Sequence, residues 1–353
     1  MGTDLRVAVL DLDGYDPEQD FSDRAGTPGE GAHAPVACHA FAACTGGTFH
    51  RSVRTIPAGT TAVILLIGED LKACRRALLE LRSAGKTVAV LFRETGVWIS
   101  SSLPTPEDLR LFQEICRAAD GAIVIAPDLA QFFAGAGARH TELLPLPYPV
   151  DDPRWDFSMP SGRRHGIFIG TRDLSDPTRN HLAALLAIRQ PAESLREPVT
   201  VIDASCQRGR HGRRARRWFG ELGWPDGLLR VVRSRLPYPR YLELMAGHKL
   251  VFQLDQSAAP GQVAGDALLC RIPCVGGNGT TERLVFPDLC GHGRTTAELV
   301  DSTVRLLEHP WEADAAVAQA SSLAARHISF AVLRRRLTEL FQKIEPARVK
   351  AGA

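Results

Sequence analysis

Thr61-Ala-Val-Ile-Leu-Leu-Ile67, then Leu71 to Ala84, then Lys86-Thr-Val-Ala-Val-Leu-Phe92 is the stretch that decides the fold. The first and third segments are apolar without alternation, which predicts strands buried on both faces. Between them Leu71, Cys74, Leu78 and Leu81 recur at steps of three and four, the period of a helix with one apolar side, and Gly85 ends it. Strand, helix and strand at this spacing predict two parallel strands joined by a crossover helix.

The rhythm extends both ways. Toward the N-terminus, Leu5 to Asp13 predicts a strand, 14–31 a long loop rich in Gly and Pro, 32–44 a helix and 48–55 a short strand. Toward the C-terminus, Pro106 to Ala119 predicts a helix, with Pro at its start and Glu107 and Asp108 in the first turn. Gly121 to Ala126 follows as a strand, Pro127 to Ala134 as a short helix and Thr141 to Pro147 as a strand. Residues 146–163 hold four prolines and no period, and read as a linker. The rhythm then restarts, with strands at Gly166 to Gly170, Pro198 to Asp203, Leu229 to Val232, Lys249 to Leu254 and Pro273 to Gly276. Helices are predicted at 178–189, 213–222, 239–246, 261–270, 296–308, 311–327 and 329–345. The chain thus divides into two doubly wound α/β domains, 1–150 and 151–330, and a C-terminal helix, 331–353, expected to pack back on the first.

Composition narrows the function. Lys plus Arg is 42 against 40 Asp plus Glu, a net charge of +2, so the chain as a whole is not built to coat nucleic acid or an acidic membrane. No run approaches the length of a membrane span, and the segment from Met1 to Arg6 has neither the basic flank nor the cleavage site of a secretory signal. The eight cysteines form no C-x-x-C pair and read as reduced thiols of a cytoplasmic protein. His33, Cys38, His39, Cys44 and His50 do not have zinc-site spacing, so no metal is expected. Gln207 to Arg217 carries six arginines, read as a solvated face, with an anionic acceptor or surface as the other reading.

The most informative chemistry lies in Lys249-Leu-Val-Phe-Gln-Leu-Asp-Gln-Ser-Ala-Ala-Pro-Gly-Gln-Val-Ala-Gly-Asp266-Ala-Leu-Leu-Cys-Arg-Ile-Pro273-Cys-Val-Gly276-Gly-Asn-Gly-Thr-Thr-Glu282. It reads as strand, loop, helix from near Gly261, proline-led strand and Gly-rich loop. A helix N-terminus suits phosphate. Asp266 within that helix can accept hydrogen bonds from ribose hydroxyls, or be a solvated helix residue. Gly276, Gly277 and Gly279 permit close backbone approach to a ligand, or form an ordinary turn between helix and strand.

This segment resembles the C-terminal half of GT-B-fold glycosyltransferases, above all the retaining nucleotide-sugar enzymes with an E-x7-E motif. Arg271-Ile-Pro-Cys-Val stands at that family's G-x-P-V strand, and Gly276 to Glu282 at its Gly-Gly loop. Phe168-Ile-Gly170-Thr171-Arg172 with Arg179-Asn180 is similar to the opening of its second domain. Tyr238 to Lys249, Asp120-Gly121, Leu146 to Asp151 and His327-Ile-Ser329-Phe330 are similar to further landmarks. The chain departs from the pattern at Asp266, where the second glutamate is expected, and at Ala258, where the first is. Arg179 takes the place of a lysine.

The resemblance implies two Rossmann-like domains facing across a cleft. It implies transfer of a sugar from a nucleoside-diphosphate sugar to an unidentified acceptor, with retention, without a metal and with no cofactor beyond the donor. Gly170, Thr171, Asp266, Gly276, Gly277, Asn278, Gly279, Thr280 and Glu282 would hold the donor, with a helix cap as the other reading of Glu282. Arg172 and Arg179 would stabilise the leaving diphosphate, with surface charges as the other reading. In the first domain Gly31 and His33 would meet the acceptor. Glu94, at the carboxyl end of a strand, would assist proton transfer, or be a loop carboxylate paired to Arg93. Ala258 leaves open a non-catalytic protein of this fold that binds a nucleotide sugar or a protein partner. An epimerase on the same fold would need further acidic residues.

Overall fold

The structure is a computed structural model that describes residues 5–23, 26–28, 34–92, 103–170, 178–203, 217, 219–256 and 260–345. The chain forms two compact units. Residues up to Arg154 and from Arg326 onward make the first, and Trp155–Ala325 the second.

In the first unit β1 (Val7–Leu10), β4 (Ala62–Ile67), β5 (Thr87–Phe92), β6 (Gly121–Val124) and β7 (Thr141–Leu143) are parallel neighbours in that order. On the other side of β1 lie β3 (Thr48–His50), parallel, and β2 (Gln19–Asp20), antiparallel to β3. The register of β4 on β5 runs from Ala62 opposite Thr87 to Ile67 opposite Phe92. Every residue of both strands is buried, as continuous apolar strands require. Helix α1 is His39–Thr45, α2 Leu71–Ser83, α3 Pro106–Ala118 and α4 Leu129–Gly135. The α2 helix starts where the Asp70 carboxylate accepts from Ala73 N–H at 2.9 Å, and it buries Leu71, Cys74, Ala77, Leu78 and Leu81. A capping box between Thr105 and Asp108, with Pro106 in the first turn, starts α3.

In the second unit β8 (Ile167–Ile169), β9 (Val199–Ile202), β10 (Leu229–Val232), β11 (Leu250–Gln253) and β12 (Cys274–Gly276) form a parallel sheet in the order β10-β9-β8-β11-β12. Its helices are α5 (His181–Leu195), α6 (Tyr238–Ala246), α7 (Gln262–Leu269), α8 (Thr280–Val285), α9 (Thr296–Glu308) and α10 (Pro310–His327). The chain closes with α11 (Phe330–Ile344), which buries Phe330, Leu333, Leu337, Leu340, Phe341 and Ile344 within the first unit, where it packs on α1 and β5. Arg336 fixes it there through Glu142 at 3.1 Å and the Leu143 carbonyl at 2.5 Å.

Three local expectations are corrected. The helix expected over 178–189 continues to Leu195 despite Pro191, because Ala184, Leu185, Ile188 and Ala192 keep one buried stripe running through the proline. The described part of the helix expected over 32–44 begins only at His39. The 146–163 segment contains the boundary between the units, at Arg154 and Trp155, with Tyr148 and Trp155 buried and Phe157 N–H donating to the Leu269 carbonyl at 2.8 Å. The glycine-rich stretch from Gly276 ends in a helix, α8, and is not loop throughout.

Candidate functional site

In a doubly wound sheet the ligand position is the point where strand order reverses, beyond the carboxyl ends of the two strands that flank it. In the second unit that point lies between β8 and β11, since the chain goes from β8 outward to β9 and β10 and then returns to β11. The residues at these two strand ends make the site.

Gly170 leaves β8 with φ +52°, and a Cβ there would collide with the His181 ring, so the first turn of α5 presses against the strand end. Just before α5, Arg179 Nη1 donates to Asp255 Oδ2 at 2.6 Å, and Asn180 Nδ2 donates to the Leu254 carbonyl at 2.9 Å. Both contacts tie the α5 entrance to the residues directly after β11. Asp255 is buried, whereas the Arg179 side chain keeps 25% of its surface exposed. A guanidinium held along one side by a buried carboxylate keeps its remaining N–H groups for a second anion.

Helix α7 opens at Gly261, φ +85°, with no side chain capping its first turn. The partial positive charge of a helix N-terminus favours an anion. Beneath this turn lies Glu282. A Cβ on Gly261 would collide with Glu282 Oε2, and one on Gly277, φ +76°, would lie 2.6 Å from Gln253 Nε2 and 2.8 Å from Glu282 Oε1. Gln253 Nε2 donates to Glu282 Oε1 at 2.9 Å, while Oε2 is enclosed with no hydrogen-bond partner among the described residues. Burial, with the negative charge of Asp255 adding to it, pushes the Glu282 carboxyl up to about 7. Arg179 pulls the other way, which places Arg179, Asp255 and Glu282 in one electrostatic neighbourhood.

Several expectations change with this geometry. Glu282 was expected to touch the donor, but it is sealed inside the unit behind Gly261 and acts on the site only by supporting the α7 N-terminus. Asp266 was expected at a ribose, but it is 2% exposed and takes the Tyr238 hydroxyl as a donor, tying α6 to α7. The glycine type at Gly276 and Gly277 is explained from within the chain. A Cβ on Gly276, φ +85°, would collide with the Gln253 carbonyl, and Gly277 makes room for Gln253 and Glu282. Asn278 Oδ1 accepts from Arg283 Nε and Nη2 at 3.1 and 2.8 Å. Gly279 precedes α8, whose first residue, Thr280, is buried. Thr171, Arg172, Ala258, Glu94, Gly31 and His33 lie outside the described residues.

Sequence reasoning missed Gln253 and Asp255. The available signal was the polar residue at every second position as the apolar β11 run ends, Phe252-Gln253-Leu254-Asp255. In the first unit the order reverses at β1, between β3 and β4. There Asp13 N–H donates to Asp11 Oδ1, and Asp70 N–H to Asp13 Oδ2, both at 3.2 Å. The metal-type residues of the same unit that are described have other roles. His39 stacks on Phe49 at 3.6 Å, and the His50 ring nitrogens face Thr55 and Thr48 hydroxyls at 3.0 and 2.8 Å.

Compared with protein-family models and with curated proteins, the chain matches none. Solved structures do match. The alpha,alpha-trehalose 6-phosphate synthase of Burkholderia multivorans superposes with TM-score 0.61 at 12% identity, over 85% of this chain and 74% of that one. Sucrose-phosphate synthase of Thermosynechococcus elongatus gives 0.60 at 13%, over 96% and 99%. Anabaena HepE, crystallised with UDP-glucose, gives 0.58 at 16%, over 82% and 80%. The chain has the GT-B glycosyltransferase fold. Two parallel-sheet units, each doubly wound, are what that fold comprises, as the sequence predicted. Among the described residues no helix is long and apolar enough to cross a membrane.

Proposed function

We propose that this protein is a glycosyltransferase that takes a nucleoside-diphosphate sugar at the carboxyl ends of β8 and β11 and passes the sugar to a hydroxyl acceptor held by the first unit. One observation carries the reading: at the strand-order reversal of the second unit, a guanidinium fixed by a buried carboxylate accompanies the N-terminus of a helix that opens at glycine. That pair of features suits a diphosphate. Proteins of similar fold include a UDP-forming alpha,alpha-trehalose-phosphate synthase and HepE bound to UDP-glucose, which supports such a donor.

In this reading the bond from the anomeric carbon to the diphosphate oxygen breaks, and negative charge grows on the leaving phosphate. Arg179 meets that charge without reorganising, because Asp255 already holds it, and the N-terminus of α7 adds its partial positive charge. Arg172 shares the role. The transfer proceeds without a metal and with retention, and the acceptor hydroxyl passes its proton to the departing phosphate oxygen as its oxygen bonds the anomeric carbon.

The test is release of nucleoside diphosphate from UDP-, GDP- and ADP-sugars against a panel of hydroxyl acceptors, with EDTA present. Release that rises with one acceptor, with the product anomer unchanged by NMR and kcat/KM at least tenfold lower in R179Q, is the expected result. No release across the panel refutes catalysis. Release that vanishes with EDTA refutes the metal-independent form.

A further inference from the structure

Outside the strand-order reversal, the second unit holds a cavity of about 560 Å³ whose lining includes Arg283, Cys290, His292, Arg294 and Glu298. The volume is that of a small-molecule site. Its position is fixed by the sheet. Gly276 N–H donates to the Leu289 carbonyl and Gly291 N–H to the Gly277 carbonyl, both at 2.7 Å, so residues 289–291 run alongside the carboxyl end of β12. The cavity residues follow directly. Strand β12 therefore stands between this cavity and the β8–β11 site.

The charge inside is unbalanced. Arg283 uses Nε and Nη2 on the neutral Asn278 oxygen, and Arg294 uses Nη1 on the Pro287 and Cys290 carbonyls at 3.1 and 2.8 Å. Among the described residues neither guanidinium has a carboxylate within ion-pair reach. Other partly buried arginines divide: Arg82 takes Asp120, Arg179 takes Asp255 and Arg336 takes Glu142, while Arg164 and Arg189 each bond a carbonyl, and what sets Arg283 and Arg294 apart is that two of them line one cavity. The one acid in the lining, Glu298, accepts from Thr295 N–H at 2.7 Å and from its hydroxyl at 2.8 Å in the α9 cap and also feels the charge of Arg294, so it offsets one of the two arginines and leaves the lining net positive. Two forked cations, each oriented by neutral acceptors and each with N–H groups to spare, match the oxygens of a dianion.

We propose that this cavity is a second, separate anion site that takes a phosphate group, either inorganic phosphate or the phosphate of a small monoester, with Arg283 and Arg294 as its forks and His292 at its mouth. It does not depend on the donor reading. The test follows the ring resonances of His292 by NMR in the full chain, assigned by H292Q, as phosphate replaces chloride at constant ionic strength. Inorganic phosphate, β-glycerophosphate and acetate are the probes. The expected result is a saturable shift with both phosphates and none with acetate. The tighter of the two phosphates marks the physiological form. R283Q and R294Q should each weaken the response at least tenfold, and R179Q should leave it unchanged. No shift in the wild type overturns the proposal, as does an undiminished shift in R283Q/R294Q. Loss of the shift in R179Q overturns it too, by placing the phosphate at the donor site. Should a glutamine variant fail to fold, the wild-type shift and the R179Q control still decide.

Discussion

Replacing Glu282 by Gln should remove a pH dependence of stability from the second unit. Unfolded, this carboxyl titrates near 4.5, and in the fold burial pushes it up to about 7. Below 4.5 it is protonated in both states, and its neutral form fits the enclosed pocket at full stability. Between 4.5 and about 7 the unfolded chain releases the proton and the folded one keeps it, so stability falls as pH rises, and the loss is complete above about 7. At about 1.4 kcal/mol per tenfold change in proton affinity, the interval amounts to about 3 kcal/mol. With a urea m-value of about 2 kcal/mol/M, the midpoint should drop by about 1.5 M between pH 4.5 and pH 8 through this group alone. An amide does not titrate, so E282Q should lack that component while keeping every other pH effect. Tryptophan emission, measured in a W98F background, is the readout, because the other four tryptophans, Trp155, Trp218, Trp224 and Trp311, fall in the second unit. Urea titrations of both proteins from pH 4.5 to 8 give the difference curve. Parallel profiles would refute the reasoning, since they would mean that Glu282 ionises in the fold as easily as in water.

Further substitutions probe the same architecture. G276A puts a Cβ against the Gln253 carbonyl at φ +85° and should unfold the second unit at ambient temperature, whereas G59A, with open space around it, should shift the midpoint by less than about 0.5 kcal/mol in thermal melts. Y238F takes the hydroxyl from the buried Asp266 carboxylate and should cost about 1–3 kcal/mol in urea. L337A should destabilise the first unit by about 2–5 kcal/mol, read by hydrogen exchange of β5 amides, because Leu337 is fully buried where α11 packs.

The strands and helices of the central sheets were legible because burial on both faces writes itself as uninterrupted apolar runs, as at Ala62–Ile67 and Thr87–Phe92. The α5 end was not, because Pro191 is a local stop signal that the buried stripe through Ala192 overrides. At the site, the α7 entrance at Gly261 could be read from glycine placement, while Arg179 was pointed to only by the family resemblance. The direction in which the acids face could not. Asp266 and Glu282 look like ligand-facing carboxylates in a linear motif, and only packing shows that Tyr238 and Gln253 claim them from inside. Asp255 escaped notice because its meaning depends on Arg179, 76 residues away in sequence.

The measurement that bears most directly on the central claim is calorimetric titration of the full chain with UDP, GDP and ADP, repeated on R179Q. The account predicts that one of the three binds the wild type in the micromolar range without added metal, and that R179Q binds it at least tenfold more weakly while circular dichroism shows it folded. Binding of none of them up to millimolar concentration, or equal binding by R179Q, would contradict it.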